Sequence, residues 1–180
     1  MKTQKKYLVI IVTCIAIAVS IVGVSHLSAQ TSSVIEKKIG NTVYELDTAG
    51  YFLKNKANKI TFEEYGHGGC IVSFDNDKQA HKDWLENFKP VFSKERAKEL
   101  NVRINIRCIF DTTGQIREVT ILFGSRKKFE MFTLSEIKAM EEAIKKYRYK
   151  NLSWLGCENL KYSYFQHPLN PCLLYFEKPK

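Results

Sequence analysis

Proline is scarce in this 180-residue chain, with four residues in all, the first at position 90. Acidic residues are absent before Glu36. No pair of cysteines has the Cys-x-x-Cys spacing of a zinc site, and no glycine-rich stretch leads into the Lys-Ser or Lys-Thr of a phosphate-binding loop. These absences exclude a proline-rich spacer, a recognised zinc motif and a P-loop nucleotide site.

The first 30 residues carry positive charge followed by a long apolar run. Three lysines precede the apolar stretch 7–24, and small and polar residues follow it. This order is typical of a secretory signal and predicts export of the rest of the chain. We expect cleavage between Ala29 and Gln30, with a cut after Ser25 as a second option. Because the run approaches the ~20 residues that span a bilayer, an uncleaved anchor at 7–24 is the alternative.

The rest of the chain has the length of one domain. We expect a short tether at 31–40 and a single domain at 41–180. Residues 31–180 keep all 19 acidic residues and 25 of the 28 basic ones, which gives a net charge of +6. An exported protein rarely meets nucleic acid, so we expect an envelope or membrane protein as the partner. We expect no small-molecule cofactor.

Four cysteines follow the export segment, namely Cys70, Cys108, Cys157 and Cys172. An even number in an oxidising compartment permits two disulfides, with three possible connectivities. We expect Cys157 to pair with Cys172, because both lie in the C-terminal tail. Cys108 falls on the apolar side of a predicted strand, where it also fits a small core residue.

Short runs with strand character recur along the chain, at 42–46, 60–65, 70–74, 159–165 and 173–177. The stretches 47–58 and 167–171 are rich in turn residues. Helices are predicted at 79–88, from the spacing of its apolar residues, and at 94–100, where Ser93 can cap the first turn.

The segment 102–123 predicts a β-hairpin. Apolar and polar residues alternate over 102–110, which indicates a half-buried strand with one wet face. The turn 111–115 contains Gly114, which is free to adopt positive φ, and 116–123 returns as the second strand.

An amphipathic helix follows the hairpin. Thr133 and Glu136 have the spacing of a capping box, and apolar residues then recur at three- and four-residue steps as far as Tyr147. The expected fold class is therefore α+β, an antiparallel sheet with a β-hairpin and an amphipathic helix packed on one face. A cystatin-like single-sheet fold has similar local patterns and is the structural alternative.

One short motif invites a catalytic interpretation, since His67 and Cys70 lie three apart among three glycines. A thiolate nucleophile needs a base and an orienting group, and no cysteine-protease signature surrounds this pair. We interpret the motif as a turn. Five nearby residues are of types that bind metals, but their spacing matches no recognised ligand motif; they are His67, Cys70, Asp75, Asp77 and His81. We therefore predict no catalytic, cofactor-binding or metal-ligating residue.

From 95 to 149 the sequence resembles the C-terminal domain of TonB-type energy transducers. The shared pattern is a helix ERAKEL, a strand VRINIRCIF, a turn DTTGQ, a strand IREVTILFG and a helix SEIKAMEEAIKKYRY. The residues at the apolar and turn positions of the family are Ile104, Ile106, Phe110, Asp111, Gly114, Ile116, Val119 and Ile121, with Ala139 and Ala143 in the helix.

This resemblance implies a periplasmic α+β domain that docks by strand addition to a partner's peptide and needs no cofactor. The chain lacks the long proline-rich spacer and the Ser-xxx-His anchor motif of a transducer, so the fold is carried over without energy transduction. We expect a non-enzymatic protein-binding or scaffold module of the cell envelope. A membrane-anchored transducer component is the alternative, and a thiol hydrolase using Cys70 and His67 is the second alternative.

Overall fold

The computed structural model describes residues 33–65, 71–74, 76–157 and 160–176. These residues belong to one compact unit, Ser33–Lys180. The export segment with its Ala29–Gln30 cleavage pair and the His67–Cys70 motif lie outside the described residues. Within the part of the chain that is described, no helix has the length and apolar character needed to span a membrane.

The described residues form eight strands and five α-helices. The strands are β1 (Val34–Ile39), β2 (Thr42–Asp47), β3 (Phe52–Asn55), β4 (Ile71–Phe74), β5 (Ile104–Asp111), β6 (Ile116–Leu122), β7 (Leu152–Leu155) and β8 (Tyr162–Leu169). The helices are α1 (Phe62–Tyr65), α2 (Asp77–Glu86), α3 (Lys94–Glu99), α4 (Arg126–Glu130) and α5 (Leu134–Lys146). A short 3₁₀ helix, Pro171–Leu174, follows β8.

Six strands form one antiparallel sheet in the order β1-β2-β3-β6-β5-β8, and β4 pairs with β7 in a separate two-stranded sheet. The predicted hairpin is confirmed, since β5 and β6 pair in antiparallel register with Cys108 opposite Val119. The register shifts between Ile109 and Phe110, which marks a β-bulge. The expected α+β class with an antiparallel sheet is confirmed.

The hairpin turn is held by the Asp111 carboxylate. It accepts hydrogen bonds from the backbone N–H of Thr113 at 2.9 Å and from Arg117 Nε at 2.7 Å. Burial by itself would raise the pKa of Asp111, but the hydrogen bonds from Thr113, Arg117 and Gln115 together outweigh it, so the pKa is lowered. Gly114 has φ of +80°, and a Cβ there would meet the carbonyl oxygen of Tyr149. Glycine is therefore required both by the backbone conformation and by the space.

Helix α5 packs on one face of the large sheet, as the apolar stripe predicted. Its capping box is present, with Thr133 and Glu136 bonded reciprocally. Glu141 is buried on this helix and bonds back to the sheet, accepting from the Tyr44 hydroxyl at 2.5 Å. Lys145 lies 2.6 Å from the same carboxylate, so the buried charge is compensated.

The face under α5 is called here the core face. Beside α5, helix α2 covers it at the β8 end, where the Trp84 ring stacks on His167 at 4.6 Å between centroids. The two-stranded sheet adds Phe74, which lies 4.6 Å from the Phe165 ring. These apolar side chains are buried on one side of the sheet, so the hydrophobic core lies on that side.

Three strands lie where the sequence predicts none. Residues 34–39 form the edge strand β1, so the prediction of a tether at 31–40 is wrong for them. The strand forms because it pairs with β2, and the local sequence pattern does not reveal that pairing. β3 lies inside the stretch expected to be turns, and it has a single buried side chain, Leu53. β7 is equally short. Strands of four residues carry too little alternation to be read from sequence.

Three predicted conformations in the chain are wrong. The 60–65 stretch contains helix α1, where the Glu64 carboxylate accepts from the Thr61 N–H at 2.8 Å and supports a helix start. The 167–171 turn is strand as far as Leu169, because β8 continues pairing with β5 through Pro168. The final predicted strand is a 3₁₀ helix begun by Pro171 and capped by Asn170.

The expected Cys157–Cys172 pairing is also wrong. Cys172 carries a free thiol, as does Cys108, whereas Cys157 is disulfide-bonded. Cys172 lies in the 3₁₀ helix after β8, and Cys157 follows β7 in the other sheet. The two cysteines are close in sequence, but β8 lies between them and belongs to the large sheet. Cys70 lies outside the described residues.

Candidate functional site on the outer face of the sheet

The face opposite α5, called here the outer face, carries a row of polar side chains that crosses the sheet. Strand pairing places these residues opposite one another from β2 to β8: Glu45, Lys54, Thr120, Arg107 and Gln166. Side chains directly opposite on neighbouring strands lie ~4.5–5.5 Å apart at Cβ. The row therefore brings together residues that are far apart in the sequence.

Large apolar side chains flank this polar row. Val34, Phe52 and Tyr164 are 60, 43 and 44% exposed. Ile109 lies opposite Tyr164 and is buried. Single exposed apolar side chains are normal on the surface of a soluble protein, whereas several of them on one face indicate an interaction site.

The residues 58–65 form a wall along the outer face. The Glu118 carboxylate accepts hydrogen bonds from the backbone N–H groups of Lys59 and Ile60, the latter at 2.8 Å. Asn58 donates to the carbonyl oxygen of Val119 at 3.0 Å. At the other end of the wall, the Tyr65 ring meets Tyr164 edge-on, with centroids 5.5 Å apart. The buried Glu118 carboxylate thus holds the wall against the sheet.

Sheet and wall together enclose an open groove of about 350 Å³. Members of all three sets described above line it: four residues of the polar row, from Glu45 to Arg107, two of the exposed apolar side chains, and part of the 58–65 wall. The lining residues include Val34, Phe52, Ile60, Tyr65, Arg107 and Glu118. Such a groove has the volume of a small-ligand or short-peptide site.

Four of the five charged side chains that line the groove have a hydrogen-bond or ion-pair partner among the described residues. Lys54 Nζ lies 3.3 Å from Glu45, Asp47 accepts from the Ala49 N–H at 2.8 Å, and Glu118 holds two backbone amides. Arg107 has no ion pair, and its Nε is buried without a hydrogen-bond partner among the described residues. Its guanidinium lies over the Tyr164 ring, 5.7 Å from the centroid. Among the described residues, Arg107 is therefore the groove cation that has no ion pair.

The sequence prediction named none of these residues as a site. It did place Arg107 on the wet face of its strand, because polar residues alternate with apolar ones there. Phe52 has no such signal, and alternation in 116–123 does not reveal what Glu118 binds. Phe52 lies in a strand that the sequence does not predict, and the role of Glu118 depends on a wall distant in sequence.

The core face contains a separate cluster of titratable groups, Cys108, Tyr149 and His167. Tyr149 Oη and His167 Nε2 are 2.8 Å apart. Burial lowers the pKa of His167 to about 4, with a further contribution from the charge of His81. Burial raises the pKa of the Cys108 thiol to about 12, and that thiol is fully enclosed. A neutral, inaccessible thiol is a poor nucleophile, so we assign this cluster to the core.

His81 was considered as a metal ligand and is described in the structure. Its ring stacks beside Trp84 at 6.2 Å between centroids. In the described ranges no group of three or more His, Cys, Asp or Glu side chains is placed to hold a metal ion. His67, Cys70 and Asp75 lie outside those ranges, as does the side chain of Asp77.

No family model matches the chain, and no curated protein matches it. A solved structure is similar, the 1.85 Å crystal structure of a DUF5043 family protein from Bacteroides uniformis ATCC 8492. The two chains share 18% sequence identity with a TM-score of 0.59, over 78% of this chain and 93% of the other. At this level of identity the likeness shows the fold alone.

Proposed function

We propose that the protein is a non-enzymatic binding module of the cell envelope, which holds a partner protein in the outer-face groove. The observation that carries the proposal is the groove itself, which is lined both by exposed apolar side chains and by a guanidinium that has no ion pair among the described residues. Among the described residues, helices α2 and α5 and the small sheet cover the core face, whereas the outer face carries the 58–65 wall beside the open groove. Partner docking would bury this apolar surface and give Arg107 a counter-charge.

An envelope location is part of the proposal. It is supported by the N-terminal order of lysines, apolar run and small residues. The disulfide at Cys157 is also typical of an oxidising compartment. Strand addition, which the TonB-like resemblance implies, is a second way in which the same sheet would hold a peptide.

The two edges of the large sheet differ in their suitability for strand addition. β1 carries three charges, Glu36, Lys37 and Lys38, and charge on an edge strand opposes pairing with another chain. β8, with the sequence YSYFQHPL, carries no Asp, Glu, Lys or Arg. Of the two edges, β8 is therefore the one we propose for an added strand.

The experiment compares partner capture by two matched variants. Phe52 and Ile35 are both 43% exposed, but Phe52 lies on the outer face and Ile35 on the opposite face, since it pairs with the buried Leu46. The full chain with a C-terminal tag is recovered from envelope extracts, and bound proteins are quantified by mass spectrometry. We expect Phe52→Asp to lose a partner that Ile35→Asp retains. Equal capture by both variants contradicts the proposal.

A further inference from the structure

We infer that the outer-face groove selects an extended peptide with an acidic side chain, and that Arg107 binds its carboxylate. This inference rests on the proposed function and adds the chemistry of the partner. Arg107 is the starting point because the other charged groups of the groove already have partners. A guanidinium with free N–H donors is matched best by a carboxylate, which accepts two of them at once.

The position of Arg107 favours strong binding of that carboxylate. The cation lies against the Tyr164 ring, which fixes the planar group and removes part of its water shell. Its Nε is buried and lacks a hydrogen-bond partner among the described residues. An arriving carboxylate would therefore replace little bound water and would restrict a side chain that is already positioned.

The acidic residues of the groove itself do not serve as the counter-charge of Arg107. Glu118 is held by the backbone amides of Lys59 and Ile60, and Glu45 lies at Lys54 on the far side of Thr120. Asp47 accepts from the Ala49 N–H, and among the described residues none of these three carboxylates comes within 4.0 Å of a nitrogen of Arg107, the limit for an ion pair. The counter-charge must then come from outside the groove.

The spacing within the sheet also defines a second requirement of the peptide. Arg107 and Phe52 are separated by two strand-to-strand steps and by two residues along a strand. With steps of about 4.8 Å between strands and about 3.4 Å per residue, their backbones lie about 12 Å apart. An extended peptide covers this distance in three to four residues. We therefore expect an apolar side chain three or four positions from the acidic one.

The test uses a phage-displayed library of random short peptides, selected on the immobilised full-length protein. We expect peptides with Asp or Glu three or four positions from a large apolar residue. Arg107→Gln should remove the preference for the acid and keep the preference for the apolar residue. We expect Arg107→Gln to weaken the binding of a selected peptide about tenfold or more, because a charge-assisted contact is lost. Arg126→Gln is the control, because that arginine lies on α4 and is not among the groove residues.

A second variant keeps the test decisive if Arg107→Gln does not fold. Arg107→Lys retains the charge without the planar fork, so acidic peptides should bind more weakly while apolar-only peptides are unaffected. Selection of peptides without an acid, or with Lys or Arg instead, overturns the inference and leaves the proposed function standing. Failure to select any peptide overturns both.

Discussion

The guanidinium of Arg107 lies over the ring of Tyr164, 5.7 Å from its centroid, and has no ion pair among the described residues. The two residues face each other across neighbouring strands, since Tyr164 pairs with Ile109, two positions beyond Arg107. A cation on an aromatic ring is stabilised by about 0.5–1 kcal/mol at an exposed site, which is less than a carboxylate would add. The pair is thus arranged to hold the cation for a further ligand.

The wall of the groove depends on Glu118. Replacing it by alanine leaves the backbone N–H groups of Lys59 and Ile60 without their acceptor. We expect a loss of about 1–3 kcal/mol in the free energy of unfolding, measured by urea denaturation. Faster hydrogen exchange at those two amides should accompany it.

Glu118→Gln is the matched control for this prediction. The glutamine keeps one carbonyl oxygen of the same shape, so it should retain most of the stability and of the amide protection. A Glu118→Ala variant as stable as the wild type, with unchanged exchange at Lys59 and Ile60, would show that the carboxylate does not hold the wall.

The hairpin and α5 could be predicted from sequence because each carries its pattern within a short stretch. Alternation over 102–110 and the Thr133–Glu136 capping box are local signals, and both are present in the structure. The groove has no local signal. Lys54 and Arg107 share a row only because β6 pairs with both β3 and β5. Pairing between distant strands is set by tertiary packing, which propensity does not encode.

Acid should destabilise the protein through His167. Its pKa is lowered to about 4 in the fold by burial, whereas an unfolded histidine titrates near 6.5. The unfolded chain therefore binds the proton first, so stability is complete above about pH 6.5 and falls as the pH approaches 4. The full loss from this residue is about 3 kcal/mol, seen in urea denaturation across that range.

His167→Gln separates this effect from the titration of carboxylates. The glutamine cannot take up a proton, so its stability should depend less on pH between 6.5 and 4 than that of the wild type. Parallel pH profiles for the two proteins would assign the acid sensitivity to other groups. His81 faces the same ring at 6.2 Å, so its substitution provides a further check.

Gly114 should tolerate alanine poorly, and Gly124 should tolerate it better. Both have positive φ, +80° and +73°, so both substitutions strain the backbone by similar amounts. A Cβ at Gly114 would meet the Tyr149 carbonyl, whereas at Gly124 it would meet nothing within 4 Å. We expect Gly114→Ala to lower the melting temperature more. Equal shifts would mean that the turn moves away from Tyr149 without cost.

The cysteines should divide into a bridged and a free set. After denaturation without reductant, a maleimide should label Cys108 and Cys172 but not Cys157. In the native protein Cys108 should resist labelling, because it is buried and its thiol pKa is raised to about 12. Recovery of a peptide that links Cys157 to Cys172 would contradict this assignment.

Cys70 is the partner that we expect for Cys157. It precedes Ile71, whose carbonyl oxygen lies 3.7 Å from the Cys157 sulfur, and two of the other cysteines are free. Peptide mapping under non-reducing conditions should recover the Cys70–Cys157 pair. Such a bridge would also rule out a catalytic thiol at Cys70, and recovery of Cys70 as a free thiol would contradict the pairing.

Photo-crosslinking tests whether the outer face of the sheet binds a protein. A photoreactive amino acid is placed at Phe52 in one strain and at the equally exposed Ile35 in another. We expect a discrete protein adduct from position 52 and none from position 35. No adduct at position 52, or the same adducts at both positions, would contradict it.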